Sequence, residues 1–331
     1  MNGRTATPAV VGRRERGSLS ARLSGRGLAG AALALCVLAG LTQTGCAVPQ
    51  PRGDGRLQRI VEPRSNRGYW LYLPREYVTR TEAERRTRRW PTVVTFHGMK
   101  PFDNAHPQAR EWQQEADRYG YVVVAPELRA PDMFAEFPLR HVTPAFRGDE
   151  TATLAILDHV FANTAADPGN VLATSWSSGG YMAHYMVNQY PDRFTCLAAR
   201  QSNFSPYVLN EALVPRSRQH PVLIVNTQND FDVCKRESRE AVEWYSRHGF
   251  RYVAWVYIKN LGHERTPDLA ADFFARIAGV EPNRPPEVLV QRQAIDGNAE
   301  GMAFLSGRMA IPRRATPTAA APTQRPVVAS S

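Results

Sequence analysis

Lysine is nearly missing from this chain: only Lys100, Lys235 and Lys259 stand among 41 basic residues, the rest being arginine. So uniform a bias points to genomic base composition rather than to a function. Cysteine is scarce as well, four in 331 residues, which excludes a scaffold built on disulfides. The uncharged apolar run from Leu28 to Leu41 is shorter than the roughly 20 residues of a comfortable membrane span. No internal repeat is present. The formal charge of +10 would suggest a polyanion partner if it lay on the folded body. It does not: residues 1–46 carry six arginines and one glutamate (+5), and residues 282–331 carry six arginines against three acids (+3), leaving +2 for residues 47–281. Nucleic acid is therefore not an expected partner.

What is present at the N-terminus has the layout of an export signal. Arg4, Arg13, Arg14, Arg16, Arg22 and Arg26 precede the apolar run, and Thr44, Gly45 and Cys46 follow it. The TGC at 44–46 is similar to the end of a bacterial lipoprotein box, whose cysteine becomes acylated. Gln43 stands where that box has an apolar residue, so a lipid on Cys46 and ordinary cleavage near Ala47 are both open. The chain is expected to be exported, with a signal over 1–46, a tether over 47–66, a catalytic domain over 67–281 and an extension over 282–331. The Pro/Ala/Thr-rich end of that extension buries too little apolar area to offset ordering entropy and is expected to be disordered.

Between the ends, short apolar runs alternate with longer amphipathic ones. GYWLYLP (68–74), TVVTF (92–96), YVVVAP (121–126), VLATS (171–175), TCLAAR (195–200), PVLIVNT (221–227) and YVAWVYI (252–258) read as strands. Residues 108–119, 149–164, 238–249 and 267–279 read as helices, the second with Asp149 as N-cap. Alternation of this kind predicts an α/β fold, with a mostly parallel central sheet and helices on both faces. The strands are continuous β-branched runs, as expected when both sheet faces are covered.

The stretch VLATSWSSGGYMAHYM (171–186) is the most pointed signal in the chain. An apolar run stops at serines and a glycine pair, and a helical pattern begins. In a nucleophile elbow the central serine sits on a sharp strand-to-helix turn whose flanking positions must be small. Ser175 and Gly179 meet that need for Ser177, whereas centring on Ser178 would put Trp176 in the tight slot. Ser175 replaces the usual glycine. A serine hydroxyl needs a base, an acid to orient the base and donors for the oxyanion. Asp230 follows the strand PVLIVNT, at the end of a sheet where such folds place chemistry, with Asp232 as the competing acid. His263, in NLGHER, lies between the last strand and the last helix, and Gly262 beside it would permit a tight approach. His159 and His184 fall inside helical patterns and His220 precedes a strand, at the wrong end of the sheet. The HG turn of TFHGM (95–99) supplies an oxyanion donor in the backbone amide of Met99, paired with that of Ser178. His97 then supports the loop.

Together TFHG, TSWSSGGYMA, NTQND, LGHE and the early YWLYLP resemble the α/β-hydrolase superfamily over about residues 67–279. Within it the chain is similar to secreted esterases of the polyhydroxybutyrate depolymerase and feruloyl esterase type, on the strength mainly of SSGGYMA. The resemblance implies hydrolysis of a small or oligomeric ester through an acyl-enzyme, with no cofactor and no metal, by a chain expected to be a monomer. Two rivals remain: a prolyl-oligopeptidase-like peptidase, which uses the same residues in the same order, and an envelope binding protein that keeps the scaffold without the chemistry. In this fold Cys196 begins a strand at one sheet end and Cys234 follows Asp230 at the other, roughly 15 Å apart by strand rise, so two free thiols are expected. Trp176, Phe204, Tyr207, Met133, Phe134 and Phe137 could line a pocket or pack in the core.

Overall fold

The computed structural model describes residues 56–282, 295–306 and 310. The export segment, Cys46 and the last part of the extension lie outside them. Among the described residues, nine strands form one sheet: β1 (Leu57–Glu62), β2 (Arg67–Tyr72), β3 (Trp90–Phe96), β4 (Val122–Pro126), β5 (Ala166–Ser177), β6 (Cys196–Ser202), β7 (Val222–Thr227), β8 (Val253–Ile258) and β9 (Ile295–Gly297). Their spatial order is β1-β2-β4-β3-β5-β6-β7-β8-β9. Strands β4 through β8 in that order pair in parallel, while β1, β2 and β9 join antiparallel. With the sharp turn after β5 described below, this is the α/β-hydrolase fold.

Alternation along each strand divides the core between two helical layers, because successive side chains point to opposite faces. Val94, Phe96, Val171, Ala173 and Ile224 pack with Tyr181, Tyr185 and Trp244, from helices Gly179–Gln189 and Asp232–Arg247. Val93, Leu172, Leu223 and Val225 pack on the other side with Trp112, Phe273 and Phe274, the last two from helix Pro267–Ala278. Every residue of β3, β4, β6 and β7 is buried, which is why these strands read as mainly apolar runs, their polar residues falling mostly toward the carboxyl ends of β6 and β7.

Five boundaries differ from the sequence reading. The stretch 47–66 is not all tether, since β1 lies within it. Its LQRIVE alternates buried and exposed positions, the weak pattern of a half-solvated edge strand. The extension after 281 is likewise not detached. β9 pairs with β8, and in helix Ala299–Leu305 Phe304 packs edge-on against Phe273 at 5.8 Å. Asp149 is no N-cap: the helix runs Pro144–Asn163, with the Thr143 hydroxyl accepting from Phe146 N and Pro at the first position. Asp149 is buried inside it and accepts from Arg129 N, Ala130 N and Arg67 Nη2. The helix expected over 108–119 is broken at Trp112 into Ala105–Glu111 and Gln113–Tyr119, and that expected from 238 begins at Asp232. Both Cys196 and Cys234 are buried and free, at opposite ends of the sheet as expected.

His184 is one of the core groups this packing creates. It is fully enclosed, with Nδ1 and the Tyr245 hydroxyl 2.8 Å apart, and burial holds its imidazole down to about 3 from 6.5. The unfolded chain therefore binds a proton in the pH 6.5 to 3 window that the folded chain refuses. Stability contributed by the neutral ring is present above pH 6.5 and lost as pH falls toward 3. Urea midpoints measured across that window should fall less steeply for His184→Gln than for wild type. Parallel curves would show that His184 carries none of the acid sensitivity.

Candidate active site

The chain passes from β3 outward to β4 and returns on the other side of β3 as β5, so the carboxyl ends of β3 and β5 flank a reversal of strand order. Such a reversal leaves a crevice above the sheet, because the connecting segments diverge there. β5 delivers Ser177 to that crevice and β3 delivers His97-Gly98-Met99.

Ser177 has φ 56°, a left-handed conformation that a residue with a Cβ holds only where the surroundings fix it. What fixes it is the immediate turn into helix Gly179–Gln189. A Cβ added to Gly179 would lie 2.2 Å from Phe96 O and 2.7 Å from His97 O, so only glycine lets the helix start against β3. Ser175 takes the other small position with its side chain buried, and its hydroxyl lies 2.8 Å from that of Ser202. The replacement of glycine is thus accommodated by a hydrogen bond to β6. Ser178 has ordinary helical angles and is buried. Of the two serines, Ser177 occupies the elbow.

Asp230 and His263, 33 residues apart in the chain, meet here. His263 Nδ1 lies 2.5 Å from Asp230 Oδ1. A carboxylate only accepts, so Nδ1 carries the hydrogen and Nε2 is left as the basic nitrogen. The carboxylate also accepts from Phe231 N at 2.7 Å, which fixes its plane. The imidazole is held between Trp176 and Phe231, with ring centroids at 4.3 and 4.8 Å. Asp232, the competing acid, points away: its side chain is 96% exposed and pairs with Lys235. Gly262 does not serve a tight approach, since the nearest atom to a Cβ there would be 3.9 Å away.

The loop after β3 is anchored from both sides. His97 donates from Nδ1 to Gly98 O at 2.6 Å and accepts at Nε2 from Leu128 N at 2.9 Å. Burial keeps its imidazole below the usual range, consistent with a neutral ring making both bonds. Asp103, fully buried, accepts from Gly98 N at 2.7 Å and from Gln108 Nε2 at 2.8 Å.

Two residues that sequence reasoning did not single out join these parts. Arg265 donates to Asp103 Oδ1 at 2.6 Å and to Glu111 Oε2 at 3.0 Å, and its guanidinium lies 4.3 Å from the Trp176 ring centre. One cation thus links the loop after β3, the histidine loop and the residue before the elbow serine. The only sequence signal was its place two residues after His263. Glu237 does similar work beneath the elbow, accepting from Tyr181 Oη, Asn203 Nδ2 and Phe204 N. Burial raises its carboxyl, and these donors partly offset the rise.

Removing Arg265 leaves Asp103 and Glu111 facing each other without their shared cation. Arg265→Ala is expected to cost about 1–3 kcal/mol of stability: Glu111 keeps Arg200 at 2.6 Å, but the buried Asp103 is left with neutral donors alone. Turnover of whatever the site processes should fall by about 10- to 100-fold in kcat with little change in KM. Arg265→Lys, which keeps the charge but cannot bridge both acids, should recover part of each. A KM effect alone, with kcat intact, would contradict a positioning role.

Ser177, Ser178, His263, Met99 and Trp176 line one cavity of about 420 Å³, together with Phe102, Phe137, Phe231 and Cys234. Of the aromatic residues left open by sequence, Trp176 and Phe137 face this space. Phe204 is core, Phe134 packs against it, and Met133 and Tyr207 are exposed.

A profile of the prolyl oligopeptidase family matches residues 113–209, the segment that contains the elbow. No curated protein matches the chain in sequence. Similar solved structures include a ferulic acid esterase from Anaeromyces mucronatus in complex with ferulic acid, at TM-score 0.47 and 14% identity, covering 66% of this chain and 88% of that one. An S-formylglutathione hydrolase from Staphylococcus aureus is similar at TM-score 0.48 and 12% identity, over 63% and 88%. An acetyl xylan esterase from Aspergillus awamori is similar at TM-score 0.48 and 14% identity, over 67% and 99%. Likenesses of this size bear on neither activity nor substrate.

Proposed function

We propose that this chain is a serine esterase that cleaves carboxylic esters through an acyl-enzyme. Ser177 Oγ attacks the ester carbonyl, and His263 Nε2 takes its proton and passes it to the departing alcohol. Asp230 holds the imidazole in the tautomer that leaves Nε2 basic and stabilises the imidazolium that forms. The amides of Met99 and Ser178 receive the oxyanion. Water then repeats the sequence on the acyl-enzyme and frees Ser177. The observation that carries this reading is a left-handed serine and an aspartate-bound histidine bordering the same apolar cavity.

The cavity favours a small ester whose acyl part is apolar or aromatic, since Phe102, Phe137, Trp176 and Phe231 border it. A feruloyl or short hydroxyalkanoyl ester fits that description, as in the esterase families the sequence resembles. An exported chain, carrying a lipid on Cys46 or cleaved near it, would meet such esters outside the cytoplasm. The profile match over residues 113–209 favours a second reading, a peptidase acting through the same residues.

A substrate panel separates the two. p-Nitrophenyl acetate and butyrate, methyl ferulate and a hydroxybutyrate oligomer should be turned over by the wild-type chain, and peptide anilides should not. Turnover of anilides alone would make it a peptidase, and turnover of neither class would leave a binding protein on a hydrolase scaffold.

A further inference from the structure

We infer that the acid and base of this site, together with Cys234, form a binding site for a thiophilic divalent cation such as Zn²⁺, which inhibits the enzyme when bound. One ligand atom each from Asp230, Cys234 and His263 lie within 4.8 Å of one another. Carboxylate oxygen, thiolate sulfur and imidazole nitrogen are the three donor types zinc takes from proteins. A second observation points to the same place. Asp230 Oδ2 is buried and has no hydrogen-bond partner, although a buried carboxylate oxygen ordinarily finds one. Cys234 is also underemployed, its sulfur lying 4.0 Å from Asn203 Oδ1. Both residues come from the start of helix Asp232–Arg247 and the turn before it, so their spacing of four is held rigidly.

The fit requires only small movements. In a tetrahedral zinc site the ligand atoms stand about 3.5 Å apart, given metal bonds of about 2.0–2.3 Å. The His263 Nδ1–Asp230 Oδ1 contact of 2.5 Å would give way to the ion, which either carboxylate oxygen can take, the unpartnered Oδ2 included, and separations of up to 4.8 Å would close by about 1 Å. Cys234 and His263 both border the cavity that holds Ser177, which gives the ion a path in and leaves a fourth position for water.

Binding balances as follows. The Cys234 thiol gives up its proton to solvent and binds as thiolate. The His263 Nδ1 hydrogen leaves that nitrogen, whose lone pair goes to the metal, and the neutral ring carries its hydrogen on Nε2 instead. One proton is released in all. The ring then presents a donor to Ser177 where catalysis needs an acceptor, so the base is lost. Inhibition rests on the esterase reading above, whereas metal binding does not.

Two measurements on the full chain test the inference. Co²⁺, a spectroscopic substitute for Zn²⁺, should produce thiolate-to-cobalt absorption in the near ultraviolet that Cys234→Ser abolishes and Cys196→Ser retains. Micromolar Zn²⁺ should suppress p-nitrophenyl acetate hydrolysis, a chelator should restore it, and Cys234→Ser, scored against its own metal-free rate, should need at least tenfold more zinc. Absence of the band, its survival in Cys234→Ser, or equal zinc sensitivity of wild type and variant would overturn the inference. Should the variant not fold, alkylation of wild-type Cys234 followed by peptide mapping decides: zinc must protect it, and unchanged labelling refutes the site. If the metal-free chain hydrolyses no ester, the esterase reading fails while the cobalt band still judges the metal site.

Discussion

Ser177→Ala is expected to reduce ester turnover by about 10⁴-fold or more while leaving the fold intact. Without Oγ there is no nucleophile, and the residual rate is what oxyanion donors and binding alone supply to water attack, which in triad enzymes is small. Stability should barely change. Alanine at φ 56° bears the same backbone strain as serine, and no packing volume beyond one oxygen is lost. Ser177→Gly should lose activity equally but gain stability of about 1 kcal/mol, because glycine adopts that conformation without a steric penalty. Ser178→Ala keeps the backbone amide proposed for the oxyanion and should stay within about tenfold of wild type. Initial rates with p-nitrophenyl butyrate and thermal melts on the four proteins check these statements. Turnover that survived Ser177→Ala would remove Ser177 from the mechanism, and a large loss on Ser178→Ala alone would move the nucleophile by one residue.

Gly179→Ala is expected to be a severely damaging methyl addition at the site. The new Cβ would meet the carbonyl oxygens of Phe96 and His97 at 2.2 and 2.7 Å, and both belong to backbone that cannot swing aside. Relief requires moving the helix Gly179–Gln189 off β3, or moving the end of β3 and with it the HG turn. Overpacking of a rigid site costs about 3 kcal/mol or more, which for a domain of this size lowers the melting temperature by roughly 6–12 °C. Activity should fall further than stability explains, since either movement separates Ser177 from the Met99 amide. Gly262→Ala is the contrast, because 3.9 Å of space admits its methyl group and both stability and rate should be close to wild type. Equal melting temperatures for the two alanine variants would show that the elbow is not as tightly packed as these contacts imply.

The candidate site was legible in the sequence because each part sits at or just past the end of an apolar run: Ser177 at the end of β5, Met99 after β3, Asp230 after β7, His263 after β8. Strand ends announce themselves in one dimension, since burial on both faces imposes a continuous β-branched run that stops where the chain leaves the sheet. The choice between Asp230 and Asp232 was not settled that way. Both follow the same strand, and what divides them is that the helix begins at Asp232 and turns its side chain out to Lys235. The edges were illegible for a related reason. Among the described residues β1 and β9 each have a neighbouring strand on only one side, so their pattern is too weak or too short to stand out from a linker.

By itself, then, the sequence determined the layered α/β architecture, the order of its elements and the levels at which the candidate site residues emerge. These follow from local periodicity, which records whether one or both faces of an element meet the core. Only the tertiary structure decided which of those residues touch: His263 with Asp230, Arg265 with Asp103 and Glu111 across more than 150 positions of chain, and Cys234 beside the acid and base. Contacts between elements depend on how helices and strands settle against one another, and a buried charge finds its partner in that packing rather than in its neighbours along the chain.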